Sequence, residues 1–496
     1  MEYRIFPAIG IARIGNSPDI FIGPESIGSR GHDLTAAGET EVRDFKDAAF
    51  RTKKQAARFH VYQRATPADP FVPATLPAGA SIRWTVRVAN KKDGIQRPSS
   101  PPDATTIPGL RPTPEAARAN RVIDSGNVSI TGAGTAGQFL DGTHVGVSVR
   151  LGELRTDAQG RLLVVGADGV SKSNPVSPIG GSFYNNVNWH DDVCDGTVSA
   201  EVVLADGTTT SATGAWVIVA PPDFTPGSES VTSLYDEIQR VAVSRAWLPN
   251  PTATAFTRDI YPLLRRARSL RWSHGRKNLA GTVISEKTWN DISDDYPRLA
   301  KTDAAETTFR SQQMALVLKV ETLLSDYQLT DVQKGHLTRW AAGTFASDWT
   351  GVPVVTAPTP DSLTEAALRG TAGQGFFPGI EGGRILTDPT IYQTPFDFRV
   401  DSAVLAPGDV TAMMAQPWQA DFLKCSGNWW PSQRPDIAPQ AGATFKLWAR
   451  IGAAGATPTH QQLVDHVMQF GVVTPRVVGG VEVCLEEGRD TAAVGS

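Results

Sequence analysis

The hydrophobic pattern of this chain changes period once, near residue 232, and that change constrains the fold more than any other feature. Before it, short apolar runs separated by turn residues read as strands: SIRWTVRVAN at 81–90, TVSAEVVLA at 197–205 and GAWVIVAPP at 214–222. After it, SLYDEIQRVAVSRAWL, TAFTRDIYPLLRRARSL, DAAETTFRSQQMALVLKVETLLS and LTDVQKGHLTRWAAGTF place apolar residues every three or four positions, as helices do, to about 346. The Pro-rich PVVTAPTPDS then punctuates the chain, and 361–496 mixes short helix and strand signals with dense Gly, Pro and Trp. The expected class is α+β, with a β-rich region over 1–231, a helical region over 232–350 and an irregular active-site region over 351–496. A Pro- and Ser-crowded stretch at 93–119 reads as a long surface excursion, and GNSP (15–18) and FIGPE (21–25) read as turns bracketing a hairpin.

With 496 residues the chain can bury a deep site shared by two or three subdomains. Its net charge of -4 and 20% charged residues give no electrostatic footprint for nucleic acid or anionic lipid, so a small neutral or zwitterionic partner is expected. No stretch of about 18 apolar residues occurs, which predicts neither a signal peptide nor a membrane span. Cys194, Cys425 and Cys484 are sparse, odd in number and without CxxC spacing, which argues against a disulfide framework or structural zinc and points to a reducing cytoplasm.

Six segments, in order along nearly the whole chain, carry a likeness to one family. They are IFPAIGIARIGNSPDIFIGPE (5–25), FRTKKQAARFHVY (50–62), YNNVNWHDDVCDGTV (184–198), AWVIVAPPDFTP (215–226), GFFPGIEGGR (375–384) and GDVTAMMAQPWQADFLKCSGNWWPSQRPD (408–436). They resemble the lysine ε-oxidase and glycine oxidase family, whose members carry cysteine tryptophylquinone. The resemblance implies oxidative deamination of a primary amine or amino acid with dioxygen as acceptor, yielding a carbonyl compound, ammonia and hydrogen peroxide. It also implies a separate flavoprotein that matures the tryptophan. Homo-oligomerisation is expected.

The resemblance puts the modified tryptophan in the WWP segment, at Trp430 in preference to Trp429. It also exposes a departure. The family's crosslinking cysteine precedes the FFPGIE segment, and in TAGQGFFPGIE its place is taken by Thr371, whose hydroxyl cannot form a thioether. Four residues earlier, where the family has an aspartate that assists tryptophan oxygenation, stands Ala367, with Glu365 out of register. Standard cysteine tryptophylquinone is therefore not expected. Cys425, five residues before Trp430, is an alternative thiol, although such a residue is more often a small buried hydrophobe. Three outcomes stay open: a tryptophan-derived quinone without the usual thioether, a repurposed enzyme using a metal or external flavin, or a non-catalytic binding relative.

Among individual residues, Asp421 in PWQADF lies between aromatics, where dehydration raises a carboxylate's pKa toward that of a base. It is expected to abstract the substrate proton, against the alternative that it pairs with Arg434 or Arg399. Glu381 and Arg384 are candidates for orienting substrate, with Phe376 and Phe377 beside it and Gly379, Gly382 and Gly383 letting the backbone pass closely. His336 sits in a helical pattern facing either core or pocket. His190, Asp191 and Asp192 in WHDDVCD offer metal-ligand types, but their spacing matches no metal loop, and a structural role in the loop is favoured.

Overall fold

The computed structural model describes residues 1–496 except 36–37, 96, 99–109, 112–118, 181, 184, 325–326, 354–356, 374–382, 394–396, 425–429 and 453. Its first half is built around one large sheet. The strands that matter for the site are β1 (Glu2–Phe6), β2 (Ile9–Arg13), β3 (Ile20–Ile22), β4 (Lys54–Arg64), β5 (Ser81–Asn90), β6 (Gln138–His144), β7 (Val147–Thr156), β8 (Leu162–Gly166), β9 (Cys194–Val203) and β10 (Ala215–Ala220). Eight of them run in the order β5-β9-β10-β2-β4-β8-β7-β6, each neighbouring pair antiparallel except the parallel β2 and β10, in register Ile9 to Trp216, and β1 and β3 pair with β4 off this path.

The parallel pair explains the unbroken apolar runs IGIAR and AWVIVA, because both strands are buried on both faces. Ile9, Ile11, Trp216 and Ile218 face one hydrophobic cluster, and the alternating Ala12, Val217 and Val219 face the main core. The expected hairpin at 15–25 is instead the single short strand β3. It lies parallel to β4 and antiparallel to His32–Thr35, because β4 is long enough to pair with several partners along its length.

The helical block forms α1 (Leu234–Ser244), α2 (Tyr261–Ser269), α3 (Thr307–Leu318) and α4 (Asp331–Ala341), followed by α5 (Pro360–Arg369) and the short α6 (Gln419–Lys424). Helix α1 starts where Ser233 and Asp236 form a capping box, and it buries Leu234, Ile238, Val241 and Ala242 along one stripe. Helices α1 and α5 cover the β2–β10 face, with Leu234, Ile238, Ala367 and Leu368 in its cluster. No helix among the described residues is long and apolar enough to cross a membrane. A C-terminal hairpin, β11 (Val472–Val478) and β12 (Val481–Glu487), completes the part relevant here.

The WHDDVCD segment ties the sheet to the 408–418 stretch. Asp191 accepts from Lys92 Nζ at 2.8 Å, from Asn90 Nδ2 at 2.9 Å and from the Trp418 backbone N–H at 2.8 Å, while Lys92 also donates to the Ala415 carbonyl. Asp195 accepts from Thr411 N–H (2.7 Å), Thr411 Oγ1 (2.6 Å) and Trp216 Nε1 (3.0 Å). His190 stacks on His144, with ring centroids 4.5 Å apart. Asp191 and Asp195 thus tie the sheet to the 408–418 stretch.

Burial pushes the carboxyls of Asp192 and Asp195 up to about 7 and about 6, and Asp192 Oδ1 has no protein partner. The opposite holds at Glu25, where burial opposes ionisation but the bonds from Arg58 and His60 outweigh it and bring the carboxyl down to about 2.

Two expectations follow from these carboxylates. Asp191→Ala strands the buried Lys92 charge and costs about 3–5 kcal/mol, read as a lowered urea midpoint. Stability contributed through Asp192 and Asp195 is complete below about 3.8 and is lost as pH rises through about 6 to 7. That from Glu25 is present above about 4.5 and is lost as pH falls toward 2. The contribution of these three groups to melting temperature should therefore peak near about pH 4, with Asp192→Asn flattening the alkaline limb and Glu25→Gln the acid limb. An unchanged pH profile in both variants would contradict this assignment.

Candidate functional site

A cavity of about 630 Å³ lies between the start of the sheet, helix α2, the end of α5 and the turn that begins at Trp430. Its wall is graded. Arg13, Thr225, Thr371, Ser432 and Gln433 form a buried end, whereas Ile27, Gly28, Arg258, Val352 and Glu482 form an exposed rim. Arg13 projects from β2 and donates to the Pro221 and Gly370 carbonyls, holding the β10 exit and the end of α5 together.

Thr371 stands at this inner end, immediately after the α5 cap at Gly370. Its hydroxyl donates to the Ala367 carbonyl at 2.8 Å, and its own carbonyl accepts from Leu234 N–H at 3.0 Å. Two residues on, Gly373 is required by close packing, since a Cβ there would lie 2.3 Å from the Ser233 carbonyl oxygen. Thr371 and Ala367, the two positions expected to carry maturation chemistry, are thus one helical turn apart. They present a hydroxyl already engaged with backbone and a methyl group packed in the β2–β10 cluster.

Neither Cys194 nor Cys484 reaches the cavity wall, and both are buried with thiol pKa values pushed up by desolvation, to about 12 at Cys484. The described residues therefore do not fit a thioether-crosslinked tryptophan.

Across the cavity, Ser432 and Gln433 are 7% and 2% exposed, and neither Ser432 Oγ nor the Gln433 side-chain amide has a protein partner. Burying such groups unsatisfied costs about 1–3 kcal/mol each, so their retention marks a place where something else supplies the hydrogen bonds. The backbone around them is firm: the Gln433 carbonyl accepts from Phe224 N–H at 2.9 Å.

A chain of ion pairs supports this wall. Glu365 pairs with Arg369 (2.5 Å), Arg369 with Asp236 (3.2 Å), Asp236 with Arg266 (3.3 Å), Arg266 with Glu229 (3.1 Å) and Glu229 with Arg265 (2.5 Å). Burial opposes ionisation of Glu229, but Arg265 and Arg266 outweigh it and bring its carboxyl down to about 2. The third carboxylate-bearing stretch of wall, the APPD segment, contributes Asp223, whose Oδ1 accepts from Thr225 N–H at 2.7 Å.

The structure brings together Thr371 and the turn opened by Trp430; the Trp430 side chain itself lies outside the described residues. Trp429, Cys425, Phe376, Phe377, Gly379, Glu381 and Gly382 lie outside them too, as does the Arg384 side chain. Asp421 is buried on α6 and does not line the cavity, since α6 packs inward through Phe422 against Trp418 and Phe224. Of the partners foreseen for it, Arg399 is engaged with the Ile5 and Gly214 carbonyls, and Arg434 lies 3.4 Å from Asp436.

His336 is likewise off the wall. Its Nδ1 contacts Thr254 Oγ1 at 2.9 Å, and burial lowers its pKa. Asp191 is engaged as described above, Asp192 Oδ2 accepts from Val170 N–H at 2.9 Å, and none of His190, Asp191 and Asp192 lines the cavity. Among the described residues the one group with metal-ligand geometry is Glu25, His32 and Glu39, and Arg58 bonds both carboxylates, which leaves little charge for a cation. Ser432, Gln433 and Asp223 escaped sequence reasoning, because only folding shows that their polar atoms are buried at one cavity.

Two models of one family match the chain: "L-Lysine epsilon oxidase N-terminal" over residues 6–219 and "L-lysine epsilon oxidase C-terminal domain" over 316–448. L-lysine 6-oxidase of Marinomonas mediterranea is 26% identical, across 86% of this chain and 71% of that protein. The crystal structure of the L-Lys ε-oxidase from the same organism superposes with a TM-score of 0.78 at 19% identity, covering 98% of this chain and 95% of that one. The Schiff base intermediate of that oxidase with L-Lys superposes with a TM-score of 0.77, at the same identity and coverage. The fold is shared across nearly the full length, and with both halves of the family pattern matched in order, the chain belongs to the L-lysine ε-oxidase family.

Proposed function

We propose that this chain is an oxidase-like enzyme acting on a primary amine or amino acid: amine, dioxygen and water give a carbonyl compound, ammonia and hydrogen peroxide. The observation that carries the reading is the pair of buried, unsatisfied polar side chains, Ser432 and Gln433, at the closed end of the cavity and immediately beyond Trp430.

The electron acceptor in this reading is a quinone made from Trp430 without the thioether, which supplies an electrophilic carbonyl and an electron sink. The chain's own residues do the rest. Gln433 and Ser432 offer one acceptor-donor amide and one hydroxyl to the amine and to ring oxygens. Thr371, with its proton committed to Ala367, closes the pocket without reacting. The proton acceptor is assigned to Asp223 rather than to Asp421, because Asp223 lines the wall and Asp421 does not. A flavoprotein partner for tryptophan oxygenation belongs to this reading.

The replacements at Thr371 and Ala367 favour a second reading, in which an external flavin or a metal takes the electrons, or in which the scaffold only binds its ligand.

Intact mass and peptide mapping over 426–436, on protein made with and without its neighbouring genes, decide between them. Two added oxygens on Trp430 support the quinone, and an unmodified peptide in both preparations removes it. Trp430→Phe should abolish amine-dependent peroxide formation with the melting temperature unchanged. Asp223→Asn should lower kcat by roughly 10²–10⁴ with KM little affected, and full activity in this variant would reassign the base.

A further inference from the structure

The exposed half of the cavity differs in chemistry from its closed end. On the helical segment that walls it, Arg258, Tyr261, Pro262, Arg265 and Arg266 all face the cavity, at the three-, four- and seven-residue spacing of one helical face. Arg258 uses Nε and one terminal nitrogen on Asp259, and Arg265 uses a single terminal nitrogen on Glu229. A guanidinium has five N–H donors in a planar fork, so both keep unused donors on side chains that line the cavity. Their side chains are 71% and 31% exposed, as expected of groups reaching a solvent-filled mouth. Across the mouth, Arg30 is held only loosely, 3.6 Å from Glu41 and 3.4 Å from Glu482. A protonated amine cannot use any of these donors; an oxyanion can.

Size points the same way. A cavity of about 630 Å³ falls in the range that encloses a drug-sized ligand, well beyond an amino acid of ten heavy atoms. Seven residues of helix separate Arg258 from Arg265 by about 10 Å along the axis, more than a single carboxylate can bridge.

We infer that the substrate is an amine carried at one end of an extended, net-anionic molecule. Its amine enters the Ser432–Gln433 end, and two or more acid groups bind at the mouth between Arg258, Arg265 and Arg30. The inference rests on the oxidase reading for the identity of the reacting group, but it predicts binding that needs no turnover.

Calorimetric titration of the full chain with the tripeptide Lys-Glu-Glu, with free L-lysine and with inorganic pyrophosphate tests it. The expected result is that Lys-Glu-Glu, pyrophosphate or both bind at least roughly tenfold more tightly than free L-lysine. Arg258→Gln and Arg265→Gln should each weaken that binding by roughly tenfold, the scale of one charge-assisted hydrogen bond, with L-lysine binding and the melting temperature unchanged in Arg258→Gln, whereas Arg265→Gln also loses its pair with Glu229. Preference for the peptide identifies carboxylates as the natural anion, and preference for pyrophosphate identifies phosphate. Equal affinity for all three probes, or anion binding that Arg258→Gln does not weaken, overturns the inference. Arg258 is the decisive position because its exposure makes loss of folding no explanation. If anion binding is present and peroxide formation absent, the oxidase reading fails and the anion site at the mouth stands without it.

Discussion

Two buried carboxylates, Asp191 and Asp195, are what the rest of the molecule is hung on. Both sit on the sheet side, and both reach residues more than two hundred positions later: Asp191 takes the Trp418 backbone and Asp195 takes Thr411. Each would be expensive to bury alone, and each is satisfied only when the C-terminal stretch lies in its native place. That stretch leads directly into α6 and the turn at Trp430, so the same bonds that satisfy the acids set where the closed end of the cavity lies.

From this anchor the cavity acquires two unlike ends. The inner end is made by elements that are themselves locked: Arg13 pins the end of α5 to the β10 exit, and the Gln433 carbonyl is held by Phe224. Rigid backbone allows Ser432 and Gln433 to stay buried with their polar atoms open, which a looser turn would relieve by rotation to other partners. The outer end is a helical face of arginines whose carboxylate partners use only part of their donor capacity.

The family fold is kept over nearly the whole length, and at the end of α5 positions 367 and 371 are held by ordinary backbone and packing contacts. Thr371 hydrogen-bonds to the Ala367 carbonyl and the Ala367 methyl packs in the β2–β10 cluster, so both positions are satisfied by backbone and packing. Fold and site chemistry are separable quantities, so the shared fold does not by itself fix the chemistry at this end of α5.

Sequence alone determined the class and the order of elements. The period change near 232 reports which faces must be buried, and periodicity is local information, as the matching of SIRWTVRVAN to β5 and of the four helical segments to α1–α4 shows. It also determined that no thiol stands at position 371. It misread 15–25 as a hairpin, because strand pairing is chosen by partners far along the chain. Only the tertiary structure decided that Asp223, Ser432 and Gln433 line the cavity while Asp421 and His336 do not. Burial and hydrogen-bond satisfaction are properties of what surrounds a side chain in space, and no spacing within one segment encodes them.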